Sequence, residues 1–218
     1  MRSGKGRAIR GVLLFGSFFL DKQEKATCRG SATHKYTPPA GRLDTNFDMD
    51  IIVSYSWNHF SPARREALHV LKEFGDPGAT MEKTAVAGIA VVHTVLDSRD
   101  VIRRCRERAR TGPQFQFAVK WVPVDYWCAT DLDAVRKVIQ EQLKPRINAD
   151  ETWGMKVHKR RWQRYHTSEI VAHLAAGMDR KVNLDQPDWI LWVDVVGANT
   201  ALALLRPDEI FSLEPAHT

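Results

Sequence analysis

The segment DIIVSYSW at residues 50–57 is the first strongly patterned stretch of this 218-residue chain, and its β-branched and aromatic content predicts a β-strand. Ser61 and Pro62 follow and mark the start of a helix, because serine is a good N-cap and proline suits the first helical turn. Apolar residues at helical spacing continue to Phe74, and the turn residues at 75–78 end the helix. The patterned part of the chain therefore begins with a strand and a helix.

Four further elements follow in a recognisable order. Two short strands are predicted near 80–84 and 89–95, then a helix over 99–110, and then an alternating strand over 115–124. The resulting order β-α-β-β-α-β is that of the ferredoxin-like unit, in which two helices cover one face of an antiparallel sheet.

The rest of the chain reads as a second unit of helices and strands. We predict a helix over 131–143, a strand over 153–158, a helix over 168–178, and strands over 189–196 and 200–205. The predicted fold class is therefore α+β, with an N-terminal ferredoxin-like unit over 49–127, an α/β unit over 128–213 and a short tail over 214–218.

Residues 1–48 differ in character from the rest. Their start, basic and then apolar, imitates a signal peptide, but the charged run after Leu20 is a poor cleavage site. The following residues are polar and lack a sustained period, which predicts disorder. Since Met49 stands directly before the first strand, two readings remain open: a disordered tail, or an over-extended reading frame whose working start is Met49.

The charge of the chain is distributed unevenly. Residues 1–48 hold nine Lys and Arg against four acids, a net charge of +5, which leaves +1 of the total +6 for residues 49–218. The high isoelectric point of about 9.3 therefore describes mainly the first 48 residues. Any nucleic-acid surface on the folded part must rest on local clusters of cations.

Composition and motifs exclude several classes of function. Charges interrupt every later stretch of 20 residues, so no membrane span is predicted, and the three cysteines are too few and scattered for a disulfide scaffold. We expect a soluble cytoplasmic protein. The chain has no phosphate-binding glycine loop and no nucleophile-elbow motif, and His158, His166 and His173 lack metal-ligand spacing. We therefore expect no catalytic residue, no metal and no cofactor.

The strongest functional feature is the run KVHKRRWQRYHT at residues 156–167, which has five Lys and Arg and no acid. Cations suit phosphate groups and flat rings suit bases, so the run predicts RNA binding, and the helix that follows could add an anion site at its N-terminus. A merely solvated surface is the alternative. The candidate residues are Lys156, His158, Lys159, Arg160, Arg161, Arg164, Tyr165 and His166. Replacing Arg160 and Arg161 with alanine should barely change stability, because exposed charges contribute little.

A second cationic cluster lies on the predicted helix 99–110, whose arginines must point outward because its apolar residues face the core. It would extend the RNA surface if both clusters face the same side. Docking of a partner enzyme and a solvated helix face are the alternatives. The candidates for this secondary surface are Arg99, Arg103, Arg104, Arg106 and Arg110.

The second unit resembles the C-terminal half of a THUMP domain. The resemblance rests on Lys159-Arg160-Arg161, on HTSEI at 166–170, on KVNLDQPD at 181–188 and on the apolar strand WILWVDV at 189–195. Each piece is common and their order is more specific. With the ferredoxin-like unit as the usual companion in this family, the resemblance spans about residues 50–213, and it adds Lys181 to the candidate site.

The resemblance implies binding of tRNA at its acceptor-stem end. THUMP domains accompany catalytic domains in thiouridine synthetases, tRNA methyltransferases and pseudouridine synthases, but here no catalytic motif is present and the patterned chain ends at Leu213. The chain is therefore more similar to the adaptor that serves a separate tRNA cytidine acetyltransferase. We expect an RNA-binding accessory protein, not an enzyme. The alternatives are an RNA-binding subunit of a different tRNA-modifying enzyme and a protein-interaction module that binds no RNA.

Overall fold

The computed structural model describes residues 49–112, 115–160 and 162–213. The predictions for residues 1–48, for Arg161 and for the tail 214–218 lie outside these ranges. Within them, no helix is both long enough and apolar enough to cross a membrane.

The first unit has the predicted ferredoxin-like arrangement. Its elements are β1 (Met49–Tyr55), α1 (Phe60–Glu73), β2 (Thr80–Lys83), β3 (Ile89–Thr94), α2 (Ser98–Thr111) and β4 (Ala118–Val124), joined at the edge by β10 (Phe211–Ser212). The sheet is antiparallel, with strand order β10-β4-β1-β3-β2, so β1 lies between β3 and β4 and each helix crosses over a neighbouring strand.

Local sequence explains the ends of the two helices. The Asp97 side chain caps α2 by accepting a hydrogen bond from the Asp100 backbone N–H at 2.8 Å. Gly75 follows α1 with a φ of 108°, in the left-handed region that favours glycine, and so lets the chain turn toward β2.

The second unit is built on a mixed sheet with strand order β5-β9-β8-β6-β7. The strands β7, β6 and β8 are parallel, and β9 and β5 are antiparallel to their neighbours. Its elements are β5 (Tyr126–Ala129), α3 (Leu132–Val138), β6 (Thr152–His158), α4 (Thr167–Ala175), β7 (Lys181–Val182), β8 (Trp189–Val196) and β9 (Asn199–Leu205). After α3 the chain continues through a π-helical turn at Ile139–Leu143 and a 3-10 turn at Lys144–Arg146.

The two sheets pack face to face, with the helices outside. Ile52 and Val124 of the first sheet pack with Val196 and Ala201 of the second, and Val122 packs with Trp192 in the neighbouring cluster. The alternate residues of the second sheet, such as Leu191 and Val193, face α3 and α4 instead. The molecule therefore has four layers, helices, sheet, sheet and helices, and the central strands of both sheets are buried on both faces.

Three short strands were not predicted, and they change the division of the chain. The predicted boundary at 127/128 falls inside β5, whose four residues pair with β9 in the second sheet. The second unit was predicted to extend to residue 213. Its last residues return to the first sheet, because Phe211 and Ser212 pair with β4. The chain thus enters the second unit at β5 and finishes on the first.

The shared layer between the sheets predicts cooperative unfolding. Ile52 is 1% exposed and lies in this layer, so Ile52→Ala should lower the free energy of unfolding by about 2–5 kcal/mol. Urea denaturation followed by tryptophan fluorescence and by far-ultraviolet circular dichroism should give one coincident transition. Val182→Ala, at a side chain that is 51% exposed, is the control and should change stability by less than about 0.5 kcal/mol. Two separated transitions would contradict the shared core.

Candidate nucleic-acid interface

The basic run lies where two parallel strands end at one edge of the second sheet. β6 and β8 run side by side, and His158 at the end of β6 is in register with Asp194 of β8. We call residues 159–166, which join β6 to α4, the basic loop. Loops at the carboxyl ends of parallel strands lie outside the sheet and commonly carry ligand contacts.

Arg160 is held in an ion pair with a fully buried carboxylate. Its Nε and Nη2 donate to the two Asp194 carboxylate oxygens at 2.9 and 2.7 Å, and the Asp194 side chain is 0% exposed. Arg160 also has a φ of 45°, an unusual backbone conformation for arginine. This bidentate pair therefore fixes the start of the basic loop, and Arg160 is more than a solvated cation.

The basic loop also folds on itself through two of its predicted RNA-binding residues. The Lys159 ammonium donates to the Tyr165 carbonyl at 3.0 Å, and the backbone N–H of Trp162 donates to the Lys159 carbonyl at 2.7 Å. The Tyr165 ring meets Trp162 edge-on at 5.4 Å and has the Arg164 guanidinium 5.4 Å above it. The aromatic rings of the run thus shape the loop, and Arg164 keeps an exposed position.

The expected anion site at the N-terminus of α4 already faces a carboxylate. Glu169 in the first turn of α4 accepts a hydrogen bond from the His166 backbone N–H at 2.6 Å. The carboxylate adds negative charge at this end of the helix, which opposes the binding of a phosphate there. The capping role of residues 166–169 therefore argues against the expected anion site.

His158 lies against a tryptophan between the sheets. Its ring stacks on Trp192 at 4.1 Å with 24° between the planes. Burial, and then the charges of Lys120, Arg160 and Lys156, lower the pKa of His158 to about 3. The imidazole is therefore neutral at pH 7 and supplies no positive charge to a phosphate.

The structure adds one cation that the sequence analysis missed. The Lys120 ammonium, on β4 of the first unit, lies 4.5 Å from the centre of the Trp192 ring. Burial lowers its pKa to about 8, with Arg160 and Lys156 adding to this and Asp194 opposing it. Apolar and polar residues alternate along β4, which suggested that Lys120 lies on a solvent-facing side of the strand. The second sheet covers that side. A lysine between apolar strand positions is compatible with either placement, so sequence alone could not decide.

Lys181 lies away from the basic loop. It is on β7 and pairs with Thr152 at the start of β6, whereas the basic loop leaves the end of β6 at His158. Six strand residues span about 20 Å. The structure therefore brings Lys156, Arg160 and Lys120 together and leaves Lys181 at the other end of the sheet.

Most arginines of α2 are paired within the molecule. Arg99 contacts Asp125 at 2.7 Å and Glu209 at 3.4 Å, and Arg103 and Arg104 both contact Asp100. In addition, Arg106 donates to the Ile210 carbonyl at 2.8 Å.

These pairs change the reading of α2. An open groove of about 680 Å³ runs along the helix, but acids line it as well as arginines. Arg110 is exposed and makes no ion pair with any residue in the described ranges. The charge of α2 is thus largely compensated locally, which favours the interpretation of a structural and solvated helix face over a phosphate surface.

The His, Cys, Asp and Glu side chains of the described residues form no metal cluster. In residues 49–112, 115–160 and 162–213 no group of three or more His, Cys, Asp or Glu is arranged to hold a metal ion. Burial raises the pKa of Cys105 to about 12 and that of Cys128 to about 11, so both thiols are protonated at neutral pH.

Comparison with known proteins gives a likeness of fold. No family model matches the chain, and no curated protein matches its sequence. Among solved structures, TrmN from Thermus thermophilus superposes with a TM-score of 0.50 and 14% identity over 73% of this chain and 47% of TrmN. The fold is THUMP-like.

Two further structures give similar but weaker superpositions. PH1313 from Pyrococcus horikoshii has a TM-score of 0.49 and 13% identity over 75% of this chain and 55% of its own. A 4-thiouridine synthetase, solved as an RNA complex with bound ATP, has a TM-score of 0.47 and 16% identity over 76% of this chain and 42% of its own. This chain spans about half the length of these proteins.

The ion pair of Arg160 predicts an effect on stability that the sequence analysis did not expect. Arg160→Ala leaves the Asp194 carboxylate buried without its partner, and it should lower the free energy of unfolding by about 3 kcal/mol. Arg164→Ala removes an exposed charge of the same loop and should change stability by less than about 0.5 kcal/mol. Chemical denaturation of both variants measures the difference. Equal stability of the two would show that the pair does not hold the loop.

Proposed function

We propose that this protein binds RNA through the basic loop and the neighbouring strand ends, and that the RNA is tRNA. The observation that carries the proposal is an excess of cations at one place. Lys156, Arg160 and Lys120 come from three different segments, and Asp194 is the one acid among the charged groups that influence Lys120.

The distribution of exposed charge supports a polyanionic partner. Lys156 and Arg164 are exposed and have no ion pair within the described part of the chain, in contrast to the compensated arginines of α2. Arg161 belongs to the same run and stays a predicted phosphate contact. Phosphate binding depends on such unpaired cations, since each one that meets a phosphate releases a counterion.

The choice of tRNA rests on the resemblance of residues 159–195 to THUMP domains together with the THUMP-like fold. We further propose that the protein is an accessory factor, because the sequence has no phosphate-binding glycine loop and no nucleophile-elbow motif. On the same resemblance, the enzyme it serves is a tRNA cytidine acetyltransferase. A different tRNA-modifying enzyme would use the same surface.

A salt titration tests RNA binding. Wild-type protein should bind tRNA with an affinity that falls steeply as salt rises, and Lys156→Ala/Arg164→Ala should reduce the logarithmic salt slope by about one for each lost phosphate contact. The double variant Arg65→Ala/Lys137→Ala removes the same charge from exposed helix positions and should keep the wild-type slope. Filter binding at several salt concentrations measures both. Equal slopes in the two double variants would refute the assignment, and a protein that binds no tRNA would be a protein-interaction module.

A nucleoside analysis tests the accessory role. Purified protein incubated with tRNA and acetyl, methyl and sulfur donors should leave every nucleoside unchanged. Addition of a tRNA cytidine acetyltransferase should then give more acetylcytidine than the enzyme alone. A modified nucleoside made by the isolated protein would overturn the accessory role, and the absence of any stimulation would overturn the choice of enzyme.

A further inference from the structure

Lys120 combines a charge with a position that provides no hydrogen-bond acceptor for it. Its ammonium lies in the seam between the two sheets, over the Trp192 ring, and it has no hydrogen-bond acceptor in the described residues. The nearest acid, Asp194, is already occupied by two hydrogen bonds from Arg160. A partly buried ammonium without an acceptor is costly, because desolvation penalises its charged form.

The surroundings of Lys120 are rich in donors and poor in acceptors. Lys156 lies in register with Trp192, and Arg160 uses Nε and Nη2 for Asp194, which leaves Nη1 to donate elsewhere. Ser54 is the strand neighbour of Lys120 on β1, and residues paired in this way carry their side chains on the same face of a sheet. Ser212 is its neighbour on the other side, but the Ser212 hydroxyl donates to the Leu213 carbonyl at 3.4 Å. Several donors therefore converge on one seam.

We propose that this seam is a phosphate site in which Lys120 forms the floor and Lys156 and Arg160 form the rim, and that it takes one phosphodiester group of bound RNA. The inference rests on the proposed RNA binding and specifies where one phosphate sits. Three cations against one acid leave an excess positive charge. A phosphodiester carries a single negative charge with two unesterified oxygens, so it can accept hydrogen bonds from several of these donors at once.

The same geometry indicates what the site does not recognise. Trp192 is 2% exposed and already contacts His158 and Lys120, so its ring is not available to stack on a base. A contact made only to phosphate positions the RNA and carries no sequence information. The seam site therefore binds RNA independently of sequence.

The proposal predicts opposite effects of one substitution on stability and on affinity. Lys120→Met replaces the desolvated ammonium with an apolar chain of similar length, so it should raise the melting temperature and weaken tRNA binding about tenfold or more. Lys137→Met, at an exposed position on α3, is the matched control and should change neither. Lys120→Gln serves as a second variant and should also weaken tRNA binding.

Proton linkage gives a second readout. The free protein has a Lys120 pKa of about 8, and a bound phosphate should raise it, so the affinity of the wild type should fall as the pH rises through and above 8. The groups facing Lys120 are Lys156, Arg160, Asp194 and His158, and all of them remain in Lys120→Met. The variant should therefore lose the part of the pH dependence between pH 7.5 and 9 that Lys120 supplies.

Two different failures can be told apart. If the wild type binds tRNA but Lys120→Met and Lys137→Met bind it equally well with the same pH profile, the seam site is wrong and the proposed function stands. If the wild type binds no tRNA at low salt, the proposed function is wrong. The probe is then inorganic phosphate, and the readout is acylation of Lys120 by an amine reagent, followed by mass spectrometry. Unchanged labelling would overturn the site as well, whereas protection would support a phosphate site that serves a ligand other than RNA.

Discussion

The face-to-face packing of the two sheets is the constraint on which the other features depend. Ile52, Val122 and Val124 from one unit meet Trp192, Val196 and Ala201 from the other, and this apolar layer holds the units in one arrangement. Because the layer continues to the ends of β4 and β6, it places Lys120 of the first unit over Trp192 of the second. The cationic seam is therefore a product of the layer, and neither unit contains it alone.

The sequence predicted the helices and strands better than the way in which the two sheets pack together. The first six elements, the order of the ferredoxin-like unit and the long strands of the second unit are correct, because each has a clear period and is bounded by Gly, Pro or capping residues. Strands β7 and β10 have two residues each, which is too short for a period to show, and β5 falls on the stretch that the sequence marked as the boundary between the units. The contact between the sheets could not be predicted, since it joins residues distant in the chain, and the side of β4 on which Lys120 lies depends on it.

One residue held a usable signal that the sequence analysis did not exploit. Asp194 is the only charged residue in the apolar strand WILWVDVV, and a buried carboxylate requires a partner. Reading that strand as fully buried would have suggested a cation beside it, and the basic loop is the nearest dense source. The arginines of α2 show the converse problem. Their number indicated a nucleic-acid surface, but acids neutralise many of them. The pairs with Asp100 have the local i,i+3 and i,i+4 spacing of a helix, whereas the pairs with Glu73 and Glu209 join residues distant in the chain, and no local pattern shows those.

The short strand β10 gives the seam an unusual dependence on the end of the folded chain. Ser212 pairs with Lys120 itself, and Phe211 is anchored in the core of the first unit. Local opening of these two residues would let more water reach the partly buried amine and return its pKa toward that of a free lysine. The pKa of Lys120 therefore depends on whether β10 is paired with β4. Opening of β10 would change the charge of the seam without any substitution of its charged residues.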